Sequence, residues 1–177
     1  MIRIRPYKPC DAETILSWCR DEETFQMWGG SHLGSFPLSA EQMNHKYFSE
    51  NGGCAEADNF FPMTAFDDGQ MIGHFIIRYV NEDCRTLRFG WVIVDDTLRG
   101  KKYGQRMLQL GLKYAFEILG ADRVTIGVYE TNEPAYRCYL RAGFRLCTEE
   151  CKQEEVNGRT WSILELCITK DAYSEQR

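Results

Sequence analysis

Apolar and polar positions change their period several times along the chain. Ile2 to Arg5 alternates apolar and charged residues, the pattern of an edge or surface strand. Asp11 stands where a helix cap would, ahead of Ile15, Leu16 and Cys19 at helical spacing, and a second short helix is predicted over 22–28. Residues 29–34 then break the pattern with three glycines. Ser39-Ala40-Glu41-Gln42 has the spacing of a capping box, opening a helix toward Phe48, and 51–58 reads as a loop.

From Phe60 the period becomes that of strands. Strands are predicted over 60–66 and 71–80, joined by the Asp67-Asp68-Gly69 turn, and over 86–94 after the turn Asn81-Glu82-Asp83. Such short links imply three consecutive antiparallel strands. Leu108, Leu112, Ala115 and Leu119 recur at helical spacing, as do Met107, Leu110 and Tyr114, so a helix over 103–119 is buried along a broad face and ends at Gly120. The buried strand predicted over 124–128 follows a strand and a helix, which implies a right-handed crossover onto the same sheet. Asn132 caps a helix running to Ala142, with Pro134 in its first turn and Gly143 closing it. The last two strands flank the Asn157-Gly158 hairpin turn, one ending near Glu155 and the other over 160–168. The fold class expected is α/β (α+β): one domain, a mixed, mostly antiparallel sheet of about seven strands, and helices on both faces.

Composition narrows the function. A length of 177 residues suits one domain with a real core, and 44% hydrophobic with 27% charged residues is ordinary for a globular protein. The net charge of −5 argues against a general nucleic-acid binder. No apolar run approaches the roughly 18 residues of a membrane span, and the opening Met-Ile-Arg-Ile-Arg-Pro lacks a signal-peptide core, so no membrane partner and a cytoplasmic location are expected. The eight cysteines are scattered through predicted strands and helices, which favours reduced, buried thiols. Cys147 and Cys151 form the closest pair, without the histidine or second pair that a zinc site needs; no metal is expected.

Against this acidic background, Arg99-Gly100-Lys101-Lys102-Tyr103-Gly104 joins the apolar strand end Trp91-Val92-Ile93-Val94 to the long helix. Glycines permit close backbone approach, and a helix start offers unpaired N–H groups and a positive dipole end, which together suit a phosphate. A solvated basic loop is the plainer reading. Met107 stands where a Rossmann glycine would be, and no Gly-Lys-Ser/Thr closes a Walker loop.

The turn resembles the pyrophosphate-binding motif of the GCN5-related N-acetyltransferases, Q/R-x-x-G-x-G/A, with Arg99, Tyr103 and Gly104 in place and Lys102 at the central glycine. A second stretch, Asn132-Glu133-Pro134-Ala135-Tyr136-Arg137-Cys138-Tyr139-Leu140-Arg141-Ala142-Gly143-Phe144, is similar to the family's later motif N-x-x-A-x-x-x-Y-x-x-x-G-F at every fixed position. Two motifs in order on the right elements are far more specific than one. The resemblance covers most of the chain from Phe60 onward and implies one acetyltransferase domain over 1–177, with acceptor-side helices and loops in 1–58 and an acetyl-CoA-binding core in 59–170.

What the resemblance implies is transfer of an acetyl group from acetyl-CoA to a primary amine by direct attack. Backbone groups of Val92, Ile93 and Val94, freed by a splayed strand, would bond the co-substrate; Arg99, Gly100, Lys101, Lys102, Tyr103 and Gly104 would hold its pyrophosphate, and Asn132 and Ala135 its pantetheine arm. Tyr139 would protonate the leaving thiolate, a role that suits a phenol with a pKa of about 10. Trp28 and Phe36, beside the Gly-rich loop, would shape the acceptor pocket; singly, each reads more simply as a sheet-covering aromatic. The strand Leu87-Arg88-Phe89-Gly90-Trp91 lacks the glutamate that many members carry. Glu130, Glu82 and Asp83 are the nearest carboxylates to serve as base, a water chain is equally open, and His74 is more simply a structural residue. Cys138 invites an acyl-cysteine route, but no histidine accompanies it in sequence. The acceptor is a small amine, such as a polyamine or aminoglycoside, or a protein N-terminus as in the ribosomal-protein branch. A homodimer is compatible with the resemblance. The rival reading is a non-catalytic acyl-CoA-binding regulatory domain, suggested by Lys102 and the missing base.

Overall fold

A computed structural model of the chain describes residues 1–49, 59–80, 84–147 and 152–175. The expected edge strand forms as β1 (Ile2–Pro6), paired with β2 (Phe60–Asp67). β2 turns through Asp68-Gly69 into β3 (Gln70–Tyr79), and β3 pairs antiparallel with β4 (Thr86–Val94). α4 (Tyr103–Lys113) then crosses over to β5 (Arg123–Tyr129), which lies parallel to β4. α5 (Glu133–Ala142) leads into the short β6 (Arg145–Leu146); β7 (Lys152–Val156) and β8 (Arg159–Thr169) form the hairpin around Asn157-Gly158. The eight strands make one sheet in the order β1-β2-β3-β4-β5-β8-β6, with β7 also on β8.

Each face of the sheet has its own core. On one, Met107, Leu108 and Leu112 of α4 and Tyr139 and Ala142 of α5 pack on Phe75, Leu87, Phe89, Val124, Ile126 and Leu166. Each such large side chain contributes about 1.5–3 kcal/mol through burial. Gly111 lets α4 lie close: a β-carbon there would meet the Phe75 ring at 2.7 Å. On the other face, α1 (Ala12–Ser17), α2 (Glu22–Met27) and α3 (Ala40–Ser49) bury Ile15, Phe25, Trp28, Met43 and Tyr47 against Ile76, with Phe60, Trp91 and Ile93 alongside. α6 (Lys170–Glu175) closes the chain, stacking Tyr173 on Phe116 at 4.9 Å.

The decisive irregularity lies in β4. Gly90 pairs with Ile76 and Ile93 with His74, so Trp91 and Val92 together oppose Phe75. This is a β-bulge, and Trp91 carries a positive φ of 45° within it. Leu87 and Phe89 face the first core before it; Val92 and Val94 face that core after it, while Trp91 and Ile93 turn to the second. Pairing of β4 with β5 stops at Phe89 with Ile126, where the bulge begins, although both strands continue.

Two local expectations change. Asp11 does not cap α1 through its side chain; its carboxylate accepts from Arg5 at 2.7 and 2.8 Å, from the Lys8 amide at 2.9 Å and from Thr64 at 2.8 Å, and so ties β1 and β2 to a 3-10 turn, Pro9–Asp11. Several donors outweigh one cap. The long helix leaves the α-helical pattern after Lys113 and finishes as a π turn, Tyr114–Ile118, with the Leu119 amide donating to Tyr114. Among the aromatics of the first third, Phe25, Trp28 and Tyr47 are buried and only Phe48 is strongly exposed, at 76%. The expected loop over 51–58 and Glu82, Asp83 and Cys151 lie outside the described residues.

Candidate active site

The basic turn begins where β4 ends. Asp95 accepts from the Thr97 amide and starts a 3-10 turn, Asp96–Leu98, whose Leu98 is buried and anchors the loop. Arg99, Gly100, Lys101 and Lys102 follow, all exposed. Gly100 has φ 81°, and Lys102 is left-handed, with φ 61° and ψ 20°, as the N-cap of α4. The first N–H groups of such a helix have no partner within it, so they face the cationic turn as donors. Gly104 lies in the first turn with its α-carbon close to α5 and β4: a β-carbon would stand 3.0 Å from Cys138 Sγ and 3.5 Å from Val94. Tyr103 fixes the other side of the turn, its hydroxyl donating to Asp67 at 2.9 Å.

Beyond the last β4–β5 pair the strands part, and a cavity of about 890 Å³ opens between and in front of them. Val92, Asn132 and Tyr139 line it from the motif side, and Met27, Trp28, Gly29 and His32 from the helical half. Ile93 and Val94 continue the splayed strand without lining the cavity, and Ala135 sits one turn into α5. Phe36 lies away from it, packed on Phe25 at 5.7 Å.

Tyr139 is nearly buried, and that burial pushes its phenol well above the ordinary range. It therefore keeps its proton at neutral pH and can give one to a developing thiolate. Asn132 accepts from the Ala135 amide at 3.3 Å, capping α5, and the residue also lines the cavity. Cys138 is pushed up to about 11 by burial, which keeps it a thiol rather than a nucleophile.

The base candidates divide clearly. Glu130 is exposed at the end of β5 and does not line the cavity. His74 is fully buried in the second core, bonded through Nε2 to the Tyr47 hydroxyl at 2.8 Å, and burial lowers it to about 3. The cavity instead contains two glutamates that motif reading missed, Glu154 and Glu165. Glu154 accepts from Tyr129 at 3.1 Å and lies 3.4 Å from His32. Glu165 pairs with Arg88 of β4, a residue 77 positions away in sequence. The one local signal for Glu165 is its placement within the apolar run Ile163-Leu164-Glu165-Leu166-Cys167-Ile168; its partner follows only from the strand order.

Among the described residues no three or more His, Cys, Asp or Glu side chains gather to hold a metal, no helix is long and apolar enough to cross a membrane, and the described cysteines are all free.

Three comparisons bear on this geometry. The family model of the acetyltransferase (GNAT) domain matches residues 2–145. Acetyltransferase PseH of Campylobacter jejuni is 33% identical over 85 residues, a stretch covering 48% of this chain and 51% of that protein. The matched stretch thus spans about half the length of that curated relative. Among solved structures, spermidine N-acetyltransferase of Vibrio cholerae in complex with CoA and spermine superposes with a TM-score of 0.80 at 18% identity, covering 98% of both chains. The aminoglycoside acetyltransferase AAC(6')-Ib in complex with coenzyme A gives 0.74 at 15% identity, covering 100% of this chain and 99% of its own. At these identities the structures speak for the fold.

Proposed function

Because the chain belongs to the GNAT acetyltransferase domain family, we propose that it transfers an acetyl group from acetyl-CoA to a primary amine by direct attack of the amine on the thioester. The observation that carries this reading is the parting of β4 from β5 after Phe89 and Ile126, which opens a cavity bordered by both motif residues, Asn132 and Tyr139.

Acetyl-CoA supplies the activated acetyl group. The turn amides and cationic side chains of Arg99 to Gly104 hold its pyrophosphate, since Gly100 has open space where a β-carbon would stand and α4 begins at the exposed Lys102 with its first amides unpaired. Backbone groups of Val92, Ile93 and Val94, which lack β5 as a neighbour, and the side chain of Asn132, with Ala135 beside it, bond the pantetheine arm. Tyr139 gives its proton to the leaving sulfur. Trp28, with Met27, Gly29 and His32, walls the acceptor half of the cavity. Two of the similar structures are named for small amines, spermidine and aminoglycosides, and the first holds spermine, which supports a small-molecule amine here over a protein N-terminus. Free cysteines throughout the described chain support a reducing compartment, the cytoplasm.

The test is calorimetric titration of the purified protein with acetyl-CoA beside the Arg99→Glu/Lys102→Glu double variant, followed by an amine panel read by release of free thiol. Micromolar binding that the variant loses, together with turnover, is the expected result. No binding by the folded wild type would refute the reading, and tight binding without turnover would favour a regulatory acyl-CoA-binding domain.

A further inference from the structure

Glu165 stands in β8 directly across the ladder from Gly127 of β5. The residue is only 9% exposed, yet it lines the same cavity as Tyr139 and Asn132. Its Oε1 accepts from the Arg88 guanidinium, while Oε2 is buried without a hydrogen-bond partner among the described residues. An acceptor buried unmatched costs about 1–3 kcal/mol, more when charged, and calls for an explanation. The neighbouring strand is cut away to make room for the pair: a β-carbon on Gly127 would come within 2.6 Å of Arg88 Nη2 and 3.6 Å of Glu165 Oε2.

From this geometry we propose that Glu165 is the group that takes the proton from the acceptor amine. The assignment rests on the acetyltransferase reading above. Arg88 holds the carboxylate through Oε1 and leaves Oε2 unpartnered; a small turn of the carboxylate toward the cavity that Glu165 lines brings this oxygen to the incoming N–H, directly or across one water molecule. As the N–H proton passes to Glu165, the nitrogen lone pair forms the N–C bond at the thioester carbon and the C–S bond breaks. The departing sulfur takes the proton of Tyr139, on whose phenol the Arg88 charge acts against the effects of burial and of Cys138. The proton held by Glu165 then returns to Tyr139 or leaves through water, so a neutral amine and acetyl-CoA give amide and free thiol with no net change in protons. Glu154, the other carboxylate of the cavity, is already engaged by Tyr129 and His32, and Glu130 is outside it. The other charged or titratable groups that line the cavity are Arg78 on β3, Arg123 on β5, Lys152 on β7 and Lys46 on α3.

The experiment compares wild type, Glu165→Gln and Glu165→Asp by acetyl-CoA titration, by thermal melting, and by the pH profile of kcat/KM with an amine that the wild type acetylates. Glu165→Gln is expected to bind acetyl-CoA within twofold of wild type and to lose about 100-fold in kcat at neutral pH. Both rates should climb with pH as the free amine accumulates, with Glu165→Gln staying below wild type by a similar factor throughout. Glu165→Asp should keep the wild-type shape at an intermediate rate. An active wild type matched by Glu165→Gln in rate and profile, with only the melting temperature changed, would make the pair purely structural and overturn this inference alone. If Glu165→Gln fails to fold, Glu165→Asp decides: an unchanged rate overturns the assignment, and a reduced rate with acetyl-CoA binding kept upholds it. A wild type that binds acetyl-CoA but acetylates nothing overturns both this assignment and the function it rests on.

Discussion

Gly104 and Cys138 hold the first turn of α4 against the second turn of α5, at a separation that leaves 3.0 Å between Cys138 Sγ and the place where a β-carbon on Gly104 would be. Alanine at Gly104 gains up to about 1 kcal/mol in helix propensity but presses on the sulfur. The expected outcome is a non-additive pair: Gly104→Ala/Cys138→Ala is more stable than the two single changes sum to, by about 0.5–1 kcal/mol, because the second substitution removes the clash. Urea denaturation of the four proteins measures the coupling.

Lys102 occupies a left-handed backbone that costs an L-residue about 1–2 kcal/mol, of which glycine would recover part after its own entropy loss. Lys102→Gly should therefore raise stability by about 0.5–1 kcal/mol. Acetyl-CoA affinity separates backbone from charge: Lys102→Glu should weaken binding much more than Lys102→Gly. Equal affinities would show that this ammonium does not meet the phosphates.

Tyr139→Phe keeps the ring packed on Phe144, whose centroid is 6.4 Å away, and removes only the hydroxyl. Acetyl-CoA binding should hold while kcat falls about 100-fold. Stopped-flow thiol release beside calorimetry distinguishes this from a general loss of structure, which would take binding with it.

His74 makes acid stability a test of the second core. Burial lowers its folded value to about 3 from an ordinary 6.5, so below pH 6.5 the unfolded chain binds the proton that the folded chain refuses. Stability is unaffected by this group at higher pH and falls as pH drops from 6.5 toward 3, by up to about 1.4 kcal/mol per pH unit. Between pH 7 and 5 the loss attributable to His74 should be about 2 kcal/mol, and His74→Gln should flatten it. The Asp11 carboxylate, raised by burial but lowered on balance by Arg5, the Lys8 amide and Thr64, titrates below that window.

Legibility in the sequence followed the range of the forces involved. The Ser39/Gln42 box closes as its spacing requires, at 2.9 and 3.1 Å, and Asn157-Gly158 makes its hairpin, because both depend on neighbours a few residues apart. The place of the motif turn was equally readable; the left-handed backbone of Lys102, where the pattern it resembles has glycine, comes from the structure. Trp91 was not readable in this way: an aromatic residue gives no local warning of a positive φ, and only its stacking on Tyr47 at 5.5 Å and its indole bond to Gly29 at 3.1 Å explain why it stays. Arg88 and Glu165 were hidden for a different reason. They belong to β4 and β8, which sit on either side of β5, so their meeting depends on a strand order that the arginine and glutamate do not themselves announce.

The irregularity at Trp91 and Val92 also says what kind of change would abolish the cleft. Without Trp91, Val92 would follow Gly90 and plain alternation would leave Val92 and Val94 toward the first core and Ile93 toward the second, each on the face it already occupies. Such a deletion would disturb no other side chain's address, yet it would straighten β4 and let it run on beside β5. The opening is thus encoded by one surplus residue in the count from Phe89 to Val94, and substitutions alone, however drastic, would leave that count intact.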